Sequence, residues 1–547
     1  MDDADSGMQA SSPASKSDVD QLHELGYAQE LKRGMGAFSN FAVSFTIISI
    51  LSGCLTLFGY GMSVGGPASA AYGWPLVGLL VTFVALAMAE ICSSYPTAGG
   101  LYYWSAKVAP KHGPAWSWFT GWFNFLGQVG VTAGIDFGFA AFFCAFLQIA
   151  FNVDVTKLIL LGSYTGILVL HGLMNTFGIR LVALLNDVSV WWHVAGVLII
   201  FAILFLVPNE HTSFGTIYSF KAAAPDAPIF PAGFINGTGF SSGFFGSTLY
   251  IFLIGMLLAQ YTLTGYDASA HMTEETHAAD VSGPNGIWKS VVVSVIFGYI
   301  LLLGVWYAVQ GSTGYDNAVA GFQAATGTVA APAQIFLDAT GKSWTVFMLL
   351  IVLGAQFFCG MSSVTANSRM IYAFSRDGAV PGHRAWHKIN KRTRTPTNSI
   401  WLAVALAWLL VAPAYWKGSV VAYFAVTSIA VIGLYIAYVI PTFLRLRAGR
   451  SFRAGPWNLG KWSVLVGYVA VIWVVFICII LMMPQFSPGG LGISVANALN
   501  YAGIAVAIVI GFAAIYWLVS ARKWFKGPVV QGSSEELKAI ERDLEAV

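Results

Sequence analysis

Four ionisable residues, Glu90, Asp136, His193 and Asp267, lie within or at the edge of stretches otherwise built from apolar side chains. In hydrocarbon such groups are costly, so they pair, face a polar path or carry protons. A histidine changes charge near neutral pH with no large perturbation. His193 and Asp267 are therefore candidates for proton coupling. Each also has a plainer reading: His193, flanked by Trp191 and Trp192, as a neutral packing residue, and Asp267 as the cap of a following helix, complementing its dipole. Asp136 reads equally as the partner of a substrate amine or as a charge near one end of its helix. Glu90 and the pair Glu274-Glu275 stand next to basic loops. They read as structural or gating ion-pair residues, with partners such as Arg369 or Arg376. His171 reads as a packing residue.

Backbone groups supply a second kind of chemistry. A polar solute inside a membrane can be held by the free N–H and C=O groups of an interrupted helix. The segment FTIISILSGCLTLFGYGMSVGGP has Ser49 and then Ser52-Gly53 near its middle. The segment IFLIGMLLAQYTLTGYDASAH carries Gln260-Tyr261-Thr262 and then Thr264-Gly265. Two polar, glycine-containing interruptions in separate apolar segments point to a solute site rather than to packing alone.

The elements that position these groups follow from composition. Of 547 residues, 57% are hydrophobic and 10% charged, whereas soluble domains carry about 25% charged residues. Apolar windows of spanning length, about 20 residues, fall near 40–64, 74–94, 116–149, 156–174, 186–207, 244–267, 287–310, 343–372, 398–415, 419–443, 463–484 and 500–520. Twelve spans with the N-terminus inside leave only Lys157, Lys221, Lys342 and Lys417 of the 28 basic residues outside. That asymmetry obeys the positive-inside rule and puts both chain ends in the cytoplasm. The interruptions fall in spans one and six, the spacing that two inverted five-helix repeats require.

This divides the chain into an N-terminal tail (1–36), a first repeat (37–207), an extracellular loop (208–243), a second repeat (244–447), two further helices (448–521) and a C-terminal tail (522–547). The opening 18 residues are polar and read as disordered. The last 15 read as a capped, solvated helix. The outer loops 208–243 and 311–342 are expected to hold short helices, and Asn236-Gly237-Thr238 matches a glycosylation triplet.

Longer motifs add a resemblance. AEICSSYPTAGGLYYW (89–104), LGYAQELKRGMGAFSNF (25–41), GYDASAHMTEET (265–276) and ANSRMIYAFSRDGAVP (366–381) resemble the amino acid–polyamine–organocation permeases, and within them the amino acid/choline transporter branch with its GABA permeases and bidirectional amino acid transporters. The resemblance covers roughly residues 25–520 and implies an all-α polytopic fold of the leucine-transporter type, a 5+5 inverted repeat plus two C-terminal helices. It implies a substrate carboxylate at the amides of Ser52, Gly53 and Cys54. It implies an amine at carbonyls around Ser49, Ile50, Tyr261 and Thr262, with Tyr261 as a lid and Thr264 as a side-chain neighbour. Some members use a lysine on the fifth span in place of sodium; this chain has His193 there and no lysine. Hydroxyls of Ser362, Ser363 and Thr365 occupy the region where sodium-coupled members hold an ion.

The expectation is a secondary permease for amino acids or GABA in the plasma membrane, proton-coupled or exchanging, with no cofactor and no resident metal. Choline or a polyamine is the alternative substrate, and a non-transporting nutrient sensor the alternative class. No HExxH, GxSxG or P-loop motif supports an enzyme, and no basic block suits nucleic acid. The five cysteines show no disulfide or metal spacing.

Overall fold

Where no water reaches the backbone, every N–H and C=O must be satisfied within its own segment or by a neighbour. The computed structural model describes residues 17–64, 66–177, 179–218, 248–309, 330–412, 419–483 and 501–545. Among these residues the chain is helical, with two isolated bridges, Met35 to Thr276 and Asn390 to Thr395, and no strand. Among the described residues, ten helices are long and apolar enough to cross a membrane. Two further apolar helices, Phe252–Thr262 and Thr397–Val411, are shorter. The first is the predicted sixth span, short because it is broken. The second, within the predicted ninth span, ends at Val411, and 413–418 lie outside the described residues.

In chain order, α1 (Asp18–Leu25) precedes a divided segment, α2 (Ala37–Ile48) and α3 (Ile50–Thr56), followed by α4 (Phe58–Val64). Next come α5 (Trp74–Ser94), the short α6 (Gly100–Val108), α7 (Gly113–Phe151), α8 (Lys157–Phe177) and α9 (Ile179–Leu206). The described part of the following loop holds one turn, α10 (Phe214–Ile217); Asn236-Gly237-Thr238 lies outside the described residues. The sixth segment comprises α11 (Thr248–Gly255), α12 (Leu257–Thr262) and α13 (Ala268–His271). Then follow α14 (Ala279–Tyr307), α15 (Ala331–Arg376), α16 (His383–Trp386), α17 (Thr397–Val411), α18 (Ser419–Ala448), α19 (Ser463–Met482), α20 (Tyr501–Val519) and α21 (Ser534–Glu545). Gly341 (φ 75°, ψ 174°) turns the chain inside α15, which sets off 331–340 as a separate short helix.

Helix α7 is the axis of the bundle and packs most extensively on α18 and α15. Glycines permit the approach to α18. A Cβ on Gly127 would lie 2.6 Å from the backbone nitrogen of Leu434, and one on Gly433 would lie 2.8 Å from the nitrogen of Gly127. Close backbone contact lets dispersion hold helices together where no hydrophobic driving force remains between them. The outer faces are apolar: Leu206, Phe177 and Leu158 are at least 70% exposed, a surface suited to lipid.

The stretch expected to be disordered, the opening 18 residues, falls almost wholly outside the described residues. Residues 1–16 lie outside those described, but from Ser17 onward the segment is docked. Ser17 caps α1 by accepting from Asp20 N–H at 3.1 Å, and Tyr27 and Leu31 are each 1% exposed. Tyr27 and Tyr102 donate their hydroxyls to Asp377, at 3.1 and 2.7 Å, and Val529 N–H donates to the same carboxylate at 3.1 Å. Burial pushes the Asp377 carboxyl up from its ordinary range, opposed by Arg376 beside it. The C-terminal helix is capped as expected: Ser533 N–H donates to the Glu536 carboxylate at 2.6 Å and Glu536 N–H to the Ser533 hydroxyl at 3.4 Å. Hydrophobic spacing carries no sign of this docking, because it rests on single polar contacts between distant segments.

Gly127→Leu should force α7 from α18, with a cost on the order of 1–3 kcal/mol for overpacking. A thermal unfolding midpoint in detergent lower by several degrees is the expected result; an unchanged midpoint would mean the contact is looser than described.

Candidate functional site

The first interruption falls at Ser49, not at Ser52-Gly53. Ser49 has φ 39° and ψ 77°, a left-handed conformation uncommon for a residue with a Cβ. The amides of Ser52 and Gly53 both donate to the Ser49 carbonyl at 2.8 Å, so α3 consumes them internally and Cys54 lies deeper in the same helix. Helix geometry leaves the first amides, those of Ile50 and Leu51, without intrahelical acceptors. Gly53 has another reason to lack a side chain: a Cβ there would lie 2.6 Å from Thr262 Oγ1. It is the contact point between the two interrupted segments.

His193 holds the break in place. Its Nδ1 lies 2.8 Å from the Ser189 carbonyl, and its Nε2 lies 2.7 Å from Ser49 Oγ. A carbonyl only accepts, so Nδ1 carries a hydrogen, and in the neutral ring Nε2 then accepts from the Ser49 hydroxyl. Both nitrogens of this fully buried ring are thereby used, and Phe45 packs edge-on to it at 5.8 Å. The sequence left packing and titration open; the geometry makes His193 a positioning partner of the first break.

The second interruption spans Leu263 to Asp267. Gly265 has φ +88°, and a Cβ there would collide with Ile47. Carbonyls at and next to the break are taken by side chains. Thr262 Oγ1 donates to Leu258 O at 2.7 Å, Thr264 Oγ1 to Tyr261 O at 2.6 Å, Tyr435 to Leu263 O at 3.1 Å and Ser44 to Tyr266 O at 2.8 Å. Tyr261 turns its phenol toward α7, where a Cβ on Gly134 would lie 2.6 Å from the hydroxyl oxygen. The two breaks face one another: Ser269 N–H donates to Ser44 Oγ and Ser269 Oγ to Asn40 O, both at 2.9 Å. Ser49, Ser52, Tyr261, Thr262, Thr264 and Asp267 are all buried, so the arrangement is closed around the breaks.

Asp267 occupies the position before α13 but makes no capping hydrogen bond with its side chain. Its carboxylate instead accepts from Tyr438 at 2.7 Å and from Gln128 Nε2 at 2.8 Å, and stands 3.3 Å from His271 Nε2. Tyr438 also accepts from Gly265 N–H at 3.3 Å. The third, sixth and tenth segments therefore meet at one carboxylate. Gln128, His271 and Tyr438 were missed by sequence reasoning. The i,i+4 spacing of Asp267 and His271 was the one visible signal; the other two lie on remote segments.

The other acids singled out in the sequence each stand beside a basic or imidazole group. Asp136 stands 3.0 Å from His171, both fully buried, against Gly360 of α15. Glu90 pairs with Arg445 at 3.0 Å rather than with Arg369 or Arg376, and also accepts from Ser463. Glu274 pairs with Arg376 at 3.1 Å and Glu275 with Arg369 at 2.9 Å, as the basic loops suggested. The hydroxyls of the eighth segment are engaged between helices: Ser362 donates to Asn186, Ser363 meets Thr132 at 2.9 Å and Thr365 donates to Asn175 at 2.6 Å.

A bundle of apolar helices with two facing, polar interruptions defines a multi-pass membrane protein. The chain belongs to the amino acid permease family, whose model matches residues 36–513, and is a transporter rather than an enzyme. It is similar to Amino-acid permease BAT1 of Arabidopsis thaliana, 42% identical over 96% of this chain and 98% of the relative. A rice homologue of that permease is 40% identical over 93% and 95%. The GABA-specific permease of Saccharomyces cerevisiae is 29% identical over 95% and 87%.

Two outcomes follow. Gly265→Ala meets both an unfavourable φ, on the order of 1–2 kcal/mol, and Ile47; uptake by normally inserted protein should fall at least about tenfold, the equivalent of 1.4 kcal/mol. His193→Gln should lower uptake by loosening Ser49 while leaving its pH profile unchanged in shape; a flattened profile would make His193 a titrating group.

Proposed function

We propose that this permease moves amino acids, GABA among them, by alternating access around the two facing breaks. The observation that supports this most directly is the convergence of the Ser49 and Leu263–Asp267 interruptions on one buried locus. In this reading twelve spans form two inverted repeats, 37–207 and 244–447, with 448–521 as two further helices and 208–243 as the outer loop. Both ends, 1–36 and 522–547, face the cytoplasm of a cell whose plasma membrane holds the protein, in keeping with the positive-inside distribution.

The substrate carboxylate approaches the start of α3, where Ile50 and Leu51 replace Ser52, Gly53 and Cys54 as amide donors, because the break begins earlier than the sequence suggested. The amine is received by carbonyls of the two breaks near Ser49, Tyr261 and Thr262, with Thr264 close by. The paired Glu274, Glu275, Arg369 and Arg376 act as a gate on the side of the chain ends, since separation of that face requires those ion pairs to part. The arrangement suits a zwitterion, whose two charges match the two kinds of backbone end. Choline lacks the carboxylate and a polyamine lacks the anion altogether.

A thermal-shift screen of the purified protein against alanine, glutamate, GABA, choline and spermidine tests the reading. A ligand at about 100 times its Kd stabilises by about 2.7 kcal/mol. Stabilisation by amino acids or GABA, with radiolabelled uptake of the same compound into proteoliposomes, is the expected result. Stabilisation by choline or spermidine alone would assign the alternative substrate class, and binding without uptake would assign a sensor.

A further inference from the structure

We propose that the turn from α18 into α19 is a docking surface for anionic phospholipid headgroups, held by Arg447, Arg450, Arg453 and Lys461. The proposal takes its leaflet from the orientation given above and otherwise goes beyond the transport reading.

The argument begins with counter-charge. Between Gly378 and Ser534 the chain carries 14 Lys or Arg and no Asp or Glu. Cations in this stretch must find their anions in a remote segment or outside the protein. The basic stretch after α15 meets the C-terminal helix α21, where Lys391 Nζ lies 2.9 Å from Asp543, and Arg394 donates to the carbonyls of Gln29 and Glu30. The segment after α20 is tied to Asp377 through Val529 N–H at 3.1 Å. At the turn from α18 to α19, Glu90 is the acid in contact, and Arg445 already takes it at 3.0 Å. Arg447, Arg450, Arg453 and Lys461 are exposed. Among the described residues none of the four forms an ion pair. Arg447 lies over the Phe443 ring at 5.8 Å and Lys461 over Trp462 at 5.7 Å, contacts that leave both charges uncompensated.

The turn is a built platform. Gly455 N–H donates to Ser94 Oγ at 3.1 Å, Trp457 N–H to Ser93 Oγ at 3.0 Å and Leu459 N–H to the Glu90 carboxylate at 3.4 Å. A Cβ on Gly455 would lie 2.4 Å from the Ser93 carbonyl oxygen, so the backbone itself rests on the end of α5. With the inner side of the turn pinned, an anion that binds its outer side has little backbone to order.

Position selects a lipid over a soluble anion. Both α18 and α19 are long and apolar enough to span a membrane, so the turn between them lies at a membrane surface. Trp462, Val464 and Leu465 at the start of α19 are 58%, 52% and 53% exposed. A tryptophan and apolar side chains beside cations suit the headgroup level of a bilayer, and the cytoplasmic leaflet is the anionic one. A phospholipid offers a phosphate to the cations and acyl chains to the apolar rim. Because this turn and Arg445 together hold Glu90, a docked lipid braces the end of α5.

The test uses the full chain in phosphatidylcholine liposomes. The probes are spin-labelled phosphatidylglycerol and phosphatidylcholine, and the readout is the fraction of each immobilised on the protein. Wild type should retain phosphatidylglycerol in preference. That preference should shrink between about 0.1 M and about 1 M salt, as the screening length falls from about 10 Å to about 3 Å. Arg447→Gln, Arg450→Gln, Arg453→Gln and Lys461→Gln together should lower the apparent affinity for phosphatidylglycerol at least about fivefold, the contribution of one cation near an anionic surface. Arg384→Gln, Lys388→Gln and Arg392→Gln together should keep the wild-type preference. Should the fourfold variant not reconstitute, Arg450→Gln with Arg453→Gln decides by the same criterion. The proposal is overturned by a wild type without preference, by an unchanged preference in the variant of the turn, or by equal losses in both sets of variants, which would assign a diffuse positive field. A preference erased by inorganic phosphate at constant ionic strength would assign the surface to a soluble anion and overturn the lipid. None of these measurements involves a substrate, so their failure leaves the transport reading standing.

Discussion

The need to satisfy backbone polar groups away from water governs this molecule. A continuous helix meets that need alone, so an interrupted one survives only if other elements take up the groups it frees. Ser49 and the Leu263–Asp267 stretch each create such a debt of partners, and the surrounding helices answer with His193, Ser44, Tyr435 and Tyr438. The scaffold segments are thereby tied to the two segments that would move. Any rearrangement at a break must exchange these partners for others, and a zwitterionic solute can supply some of them.

The small residues follow from the same constraint. Gly53 brings α3 against Thr262, Gly134 makes room for the Tyr261 phenol, and Gly265 lets the chain pass Ile47 with a positive φ. Where these positions admit no Cβ, polar backbone ends from two segments can share one locus. The buried acids obey the complementary rule. Glu90, Asp136, Glu274 and Glu275 each have a basic or imidazole partner within about 3 Å, which limits the cost of placing charge in a low dielectric. Asp267 is distinct because hydroxyl and amide donors as well as an imidazole meet it, and none of them bears a fixed charge.

By itself the sequence determined the class of protein. Composition and the length of apolar runs demanded membrane helices, the placement of basic residues gave them a consistent order, and the motifs at 89–104 and 265–276 indicated the family. It also located the two interrupted segments, because glycine and hydroxyl residues inside spanning runs are local signals. Tertiary structure decided where each break begins and what each polar side chain does. The first break lies at Ser49 because His193, far along the chain, receives its hydroxyl and stabilises a conformation that local propensity disfavours. Asp267 reads locally as a helix cap, but Gln128 and Tyr438 draw its carboxylate away from the backbone and toward His271. Such choices depend on donors and acceptors brought together from segments more than a hundred residues apart, and periodicity along the chain contains no information about those distances.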